Sequence, residues 1–267
     1  MDYLLKNLRL FAGTDNSSLE NSAIWITGNK VRFAGKTAEL PKLPRDLVEK
    51  DLGGKFVMPG MTETHAHLSF ADASPFAIGE TLVEEATLTA VRNARLMLGS
   101  GFTSAVSFGS TYKIDVALRE AILQGTVIGP RLLAAGRDLG ATASNVDSGG
   151  GLSQIADGPW ALRKAVREQR KIGVDVVKIF IDGEAINKQN PPGELSFTDE
   201  EVSATVEEAH RRKMRVACHA RSAAAVKQAV KAGVDFIGHA NYLDQEAVDM
   251  LHEKKDNIFV GPAIAWE

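Results

Sequence analysis

Two rhythms of apolar and polar residues divide this chain. Residues 1–57 carry short alternating runs broken by turn residues. "YLLKNLRLFAG" alternates in part, "AIWITGNKVRFAG" reads as a hairpin turning at Gly-Asn, and "FVMPG" closes the segment. "ELPKLPRDL" (39–47) is a proline-punctuated loop, and no helix is predicted here. From about residue 60 the period changes. Helical stretches now alternate with short β-rich runs.

A T-x-x-E capping box at Thr81 and Glu84 predicts the first helix, running to about Leu98. Further helices are predicted over 114–124, 159–172, 222–232 and 244–253. Another opens at a second box, Thr198 and Glu201, and reaches about Lys213. The strands between them are "GMTETHAH", "FTSAVSF" (102–108), "RLLAAG" (131–136), "VVKIF" (176–180), "RVACHA" (215–220), "DFIGHA" (235–240) and "IFVGPA" (258–263). Three junctions, "GSGFTSAVSF", "KIGVDVVKIF" and "KAGVDFIGHA", place a glycine where a helix end takes a left-handed residue. Alternating β and α units predict a parallel sheet with right-handed crossovers. Seven strands and six helices make an α/β fold, a (β/α)8 TIM-type barrel incomplete after its seventh strand. The domain reading is 1–57 for the N-terminal part and 58–267 for the barrel.

With 267 residues, 44% hydrophobic and 24% charged, the chain can bury a sizeable core. The net charge of −3 gives no electrostatic case for nucleic acid or an anionic membrane. "MDYLLKNLRLFAG" is neither a signal peptide nor a membrane span. The single cysteine, Cys218, excludes an internal disulfide and points to a reducing cytoplasm.

The chemistry lies at predicted strand ends. His65 and His67 in "MPGMTETHAHLSF" are one residue apart, so a strand aims both to one side. Lys178 is the one charge in "VVKIF". His219 and His239 close the next two strands. Barrel sites form at the C-terminal ends of strands, so these five residues predict a metal centre. His210 and His252 fall on helices and are expected to face solvent. Glu63 is a candidate to orient a ligand, and Arg221 and Tyr242 to touch substrate. Loop 187–197 is a candidate lid, as is the triple glycine at 149–151. Cys218, next to His219, is expected to pack against a helix.

"PGMTETHAH", "VKIFIDG", "VACHA" and "FIGHA", in that order, resemble the amidohydrolase superfamily. "GPRLLAAGRDLG" and "ACHARSAAAVKQAVKAGVDFIGHANYLD" resemble its imidazolonepropionase-like and prolidase-like group. The resemblance implies hydrolysis of C–N bonds in a small-molecule amide, cyclic amide or dipeptide, by hydroxide held between metals. It implies that His65 and His67 bind the more buried ion, and His219 and His239 the second. Lys178, carboxylated by CO2, would bridge them. One or two divalent ions are implied, zinc fitting the nitrogen and oxygen donors. It also implies a small β-sandwich that includes residues 1–57, and is compatible with a homo-oligomer. An aspartate at the end of an eighth strand, which the family uses to move the proton, has no counterpart here. No catalytic acid or base is therefore assignable, and the chain reads as C-terminally truncated. The rival readings are a catalytically inactive remnant, and a deaminase or decarboxylase on the same barrel.

Overall fold

Ladders of backbone hydrogen bonds build two compact units, Met1–Gly60 and Met61–Glu267. The computed structural model describes residues 1–71, 78, 80–147, 151–184 and 187–262. Gly149 and Gly150 of the triple glycine and Ala263 of the last predicted strand lie outside them.

The first unit is a four-stranded sheet of β1 (Asp2–Leu10), β2 (Leu19–Thr27), β3 (Lys30–Lys36) and β4 (Leu47–Val57), in the order β3-β2-β1-β4. Thr27 pairs with Lys30 across the Gly28-Asn29 turn, where Gly28 has φ 59°. β1 runs antiparallel to β2 and parallel to β4. Its alternation buries Leu8 and Leu10 against Ile24.

The second unit alternates strand and helix. β5 (Met61–Ala66), β6 (Phe102–Ser107) and β7 (Arg131–Leu133) form one parallel sheet. β8 (Asp138–Gly140), β9 (Ser153–Ile155), β10 (Val176–Phe180), β11 (Arg215–Ser222), β12 (Phe236–Tyr242) and β13 (Phe259–Gly261) form another, ordered β13-β12-β11-β10-β8-β9. The sheets meet at Ala134, whose carbonyl accepts the N–H groups of Asp175 and Val176. No ladder joins β13 to β5 among the described residues. The helices are α1 (Val83–Gly99), α2 (Ile114–Leu123), α3 (Pro159–Ile172), α4 (Asp199–Arg211), α5 (Ala223–Ala232) and α6 (Gln245–Glu253).

Helix ends follow the sequence with one exception. Thr198 and Glu201 form a complete capping box on α4. Gly173 and Gly233 close α3 and α5 with φ 93° and 84°. The exception is α1, which starts later than its box. Its N-cap is Leu82, with no side-chain cap, so Thr81 does not open the helix. The helix docks instead through Ala86, Ala90 and Ala94, spaced four apart on one buried face. The predicted strand over 131–136 stops at Leu133, because the Ala135 and Gly136 N–H groups turn to the buried carboxylate of Asp115 on α2.

Strand parity separates two layers. Val177, Ile179, Val216, Cys218 and Ile237 join helix residues such as Leu162 and Val226 in the main core. Val176, Ala217 and Phe236 point to the other face of these strands and pack there with Val106 and Phe108 from the end of β6. The face that carries this second cluster also carries the candidate site.

Candidate metal centre

At the C-terminal ends of β5, β10, β11 and β12, a cavity of about 620 Å³ is lined by His65, His67, Lys178, His219 and His239. All five residues singled out from the sequence meet here. The His65 ring lies 5.3 Å from that of His67 and 4.7 Å from that of His239, and His219 lies 4.5 Å from His239, centroid to centroid. Lys178 is fully buried, and its Nζ donates to the Phe108 carbonyl at 3.1 Å. The amine also sits 5.0 Å from the Phe108 ring and 5.5 Å from that of Phe180.

Parity explains most of these directions. Lys178 and Phe180 face the cavity while Val177 and Ile179 face the helices. His219 likewise points opposite to Cys218. His239 breaks the rule. Phe236 points inward and Ile237 outward, so position 239 should point outward. Its backbone instead adopts φ 71°, followed by Ala240 at φ 52°, and the imidazole turns into the cavity. Left-handed backbone costs a residue with a Cβ about 1–2 kcal/mol, and such strain gathers at functional sites. Gly238 provides the neighbouring space: a Cβ there would lie 2.7 Å from His65 Cε1.

Each imidazole is prepared as a neutral donor. His65 Nδ1 contacts the Gly261 carbonyl at 3.2 Å, His67 Nδ1 that of Gly109 at 3.1 Å, and His219 Nε2 that of Gly183 at 3.2 Å. A carbonyl only accepts, so each contacting nitrogen carries the proton and the other keeps its lone pair. His239 Nδ1 is buried without a hydrogen-bond partner. Burial, reinforced by neighbouring positive groups, holds His67 down to about 3 and His239 to about 2, with His65 and His219 also far below the ordinary range. Burial lowers the Lys178 amine too, partly opposed by Asp138, Cys218 and Glu184. Buried neutral imidazoles with directed lone pairs, an orphaned ring nitrogen and a buried amine suit a divalent cation.

Asp138 and Glu184, two of the carboxylates on the wall, escape sequence reasoning. Asp138 is buried, one of its oxygens has no partner, and burial pushes it up to about 6. It packs where a Cβ on Gly109 would be, 2.1 Å from Oδ1. Glu184 lies close to His219 and His239, all three offering donor atoms within 4.8 Å of one another. Nothing in "RDLG" or "IDGEA" marks either residue, since both depend on where irregular backbone turns.

Glu63 accepts the His65 backbone N–H at 2.9 Å and so holds its main chain. Arg221 is buried, pairing with Glu184 at 2.6 Å and donating to Asn241. Tyr242 is 54% exposed, and neither it nor Arg221 lines the cavity. Loop 187–197 contributes Asn187, Gln189 and Glu194 to the wall. His210 is exposed and contacts Asp235, and His252 is exposed. Cys218 packs in the core, its thiol pushed up to about 12 by burial. Among the described residues no helix is long and apolar enough to cross a membrane.

Comparison with known proteins gives a consistent result. The model of the amidohydrolase family matches residues 56–265. Ochratoxinase from Aspergillus niger is 28% identical over 265 residues, covering 90% of this chain and 55% of that enzyme. Imidazolonepropionase from Paracoccus denitrificans is 27% identical over 201 residues, covering 72% and 44%. The crystal structure of a Xaa-Pro dipeptidase with bound methionine in the active site superposes with a TM-score of 0.87 at 28% identity, covering 99% of this chain and 67% of that one. The chain thus spans about half the length of the curated relatives it matches.

Proposed function

The chain belongs to the amidohydrolase family, and we propose that it contributes the metal centre of a hydrolase of C–N bonds in small-molecule amides, cyclic amides or dipeptides. The observation that carries this reading is the convergence of four neutral imidazoles and a buried amine on one cavity. His65 and His67 would hold one divalent ion, and His219 and His239 a second, zinc being the best match to the donors. Such an ion, when bound, acidifies water and polarises a substrate carbonyl. Lys178 would bridge as a carbamate: its neutral amine adds to CO2, one N–H proton leaves, and the remaining N–H keeps its bond to the Phe108 carbonyl. Asp138 lines the cavity with a carboxyl tuned near neutrality, suited to take a proton from the nucleophile and return it to the leaving amine. Phe70, Ile78 and Leu152 give the pocket apolar walls that limit water.

The parallel strands support reading 58–267 as part of a (β/α)8 barrel, and the sheet of 1–57 as part of a β-sandwich. The lone, buried cysteine supports a cytoplasmic setting. The test is metal content per chain for the purified protein beside Lys178→Ala, followed by an amide screen with product analysis. About two zinc-like ions, falling in the variant, with amine released, are expected. A folded protein that takes up no metal would end the proposal; release of ammonia or CO2 in place of an amine would move it to deamination or decarboxylation.

A further inference from the structure

Glu184 lies outside the five residues proposed above as ligands, yet it faces the same cavity. One of its carboxylate oxygens and one ring nitrogen each of His219 and His239 lie within 4.8 Å of one another. Among the described residues no other His, Cys, Asp or Glu trio is so closely grouped. His239 is 7% exposed, and its Nδ1 has no hydrogen-bond partner. The residue before Glu184 fixes His219, because the Gly183 carbonyl holds His219 Nε2 at 3.2 Å and leaves Nδ1 as the donor. That stretch of backbone is itself anchored. Glu184 N–H donates to the Asn190 carbonyl at 3.0 Å, and a Cβ on Gly183 would lie 1.9 Å from that oxygen, so only glycine fits the turn.

We infer that Glu184 is a third protein ligand on the His219–His239 side of the centre, and that Arg221 is its positioning residue. This rests on the metal reading above. Arg221 Nε lies 2.6 Å from Glu184 Oε1, and Arg221 Nη1 donates to Asn241 Oδ1 at 2.6 Å. The guanidinium is thus clamped at both ends, and it fixes one edge of the carboxylate. A carboxylate has about four acceptor positions, so it serves an arginine and a cation at once. Its negative charge also offsets part of the charge a second ion brings into a cavity whose imidazoles are neutral.

The alternative is that Glu184 only neutralises Arg221. Titration of the metal-stripped protein with Zn2+, and with Co2+ read by visible absorption, separates the two. In Glu184→Gln one ion is expected to bind as in the parent and the other to weaken more than about tenfold, with a changed Co2+ spectrum. The double variant Glu184→Gln/Arg221→Gln removes the pair without stranding a charge, and is expected to show the same loss. Parent-like affinity and spectrum in either folded variant would overturn the inference while leaving the five-residue centre intact. A parent protein that binds no ion would overturn both.

Discussion

Acid should destabilise the metal-stripped protein far more than an ordinary domain of this size. The perturbation is a shift from pH 7 to pH 5.5 with ions removed by chelator. His65, His67, His219 and His239 have folded pKa values pressed far below the ordinary value, by burial first and neighbouring charges second. The sign follows from proton counting. Below about pH 6.5 the unfolded chain binds protons that the fold refuses, so stability is present above that pH and is lost as pH falls. Each histidine loses about 1 kcal/mol across the interval, and the four together about 4–5 kcal/mol. Asp138 acts the other way. Its folded value is raised to about 6, so the fold retains a proton that the unfolded chain releases. Over the same interval it restores less than about 1 kcal/mol. The net loss from these five groups is about 4 kcal/mol, a large share of the roughly 5–15 kcal/mol of a typical domain. Urea unfolding at the two pH values, with unchanged slope, measures it. His67→Asn, whose amide nitrogen replaces Nδ1 toward the Gly109 carbonyl, should reduce the loss by about 1 kcal/mol. A loss below about 1 kcal/mol in the parent would refute the claim that the fold holds these imidazoles neutral.

Gly238→Ala should cost about 1–3 kcal/mol by overpacking, because the new methyl would lie 2.7 Å from His65 Cε1 and 2.9 Å from Phe108 Cε1. Its Zn2+ affinity should fall as His65 is displaced; a variant matching the parent in both urea midpoint and affinity would contradict that geometry. Lys178→Met should raise metal-stripped stability at pH 7 by about 1 kcal/mol, since it removes an amine whose charged form burial disfavours. Because the lysine pKa is lowered in the fold, its penalty is full below the folded value and is relieved as pH rises toward the unfolded value. The gain should therefore shrink in alkali, and a net loss at pH 7 would count against a buried, disfavoured ammonium. Thr198→Ala should cost about 1 kcal/mol by removing the α4 capping box, with bound metal unchanged; calorimetry and metal analysis of the same sample check both halves.

What was legible in the sequence was what strand and helix periods enforce. Lys178 and His219 each sit among apolar neighbours whose parity sends them opposite to the core, so position alone aims them. His65 and His67, two apart, share a side for the same reason. The α4 box works because Thr198 and Glu201 satisfy each other locally. What failed to show depends on backbone that leaves the periodic pattern. The left-handed φ that turns His239 inward has no sequence signal in "DFIGHA", whose regular reading aims it at the helices. β8 and β9 are three residues each and exist through pairing with one another and with β10; no run so short carries a period. Asp138 reaches the cavity from β8, and Glu184 from the turn after β10, so neither could be assigned before the turns were known. Thr81 shows the converse, a local motif present in sequence that the helix start at Val83 leaves unused as a cap.

The alternation along β10 and β11 bears on how this scaffold could be altered. Val177, Ile179, Val216 and Cys218 hold the strands to the helices, while Lys178, Phe180 and His219 occupy the opposite side of the same short segments. A library confined to Lys178, Phe180 and His219 would leave untouched both the outer anchoring and the inward cluster of Val176, Ala217 and Phe236, and replacing buried polar groups there with apolar ones would cost the fold little. Most of its members should express as ordered proteins whether or not they turn over a substrate. Selecting such a library for solubility would therefore not enrich catalysis, and only a screen on the reaction itself would find the members that retain it.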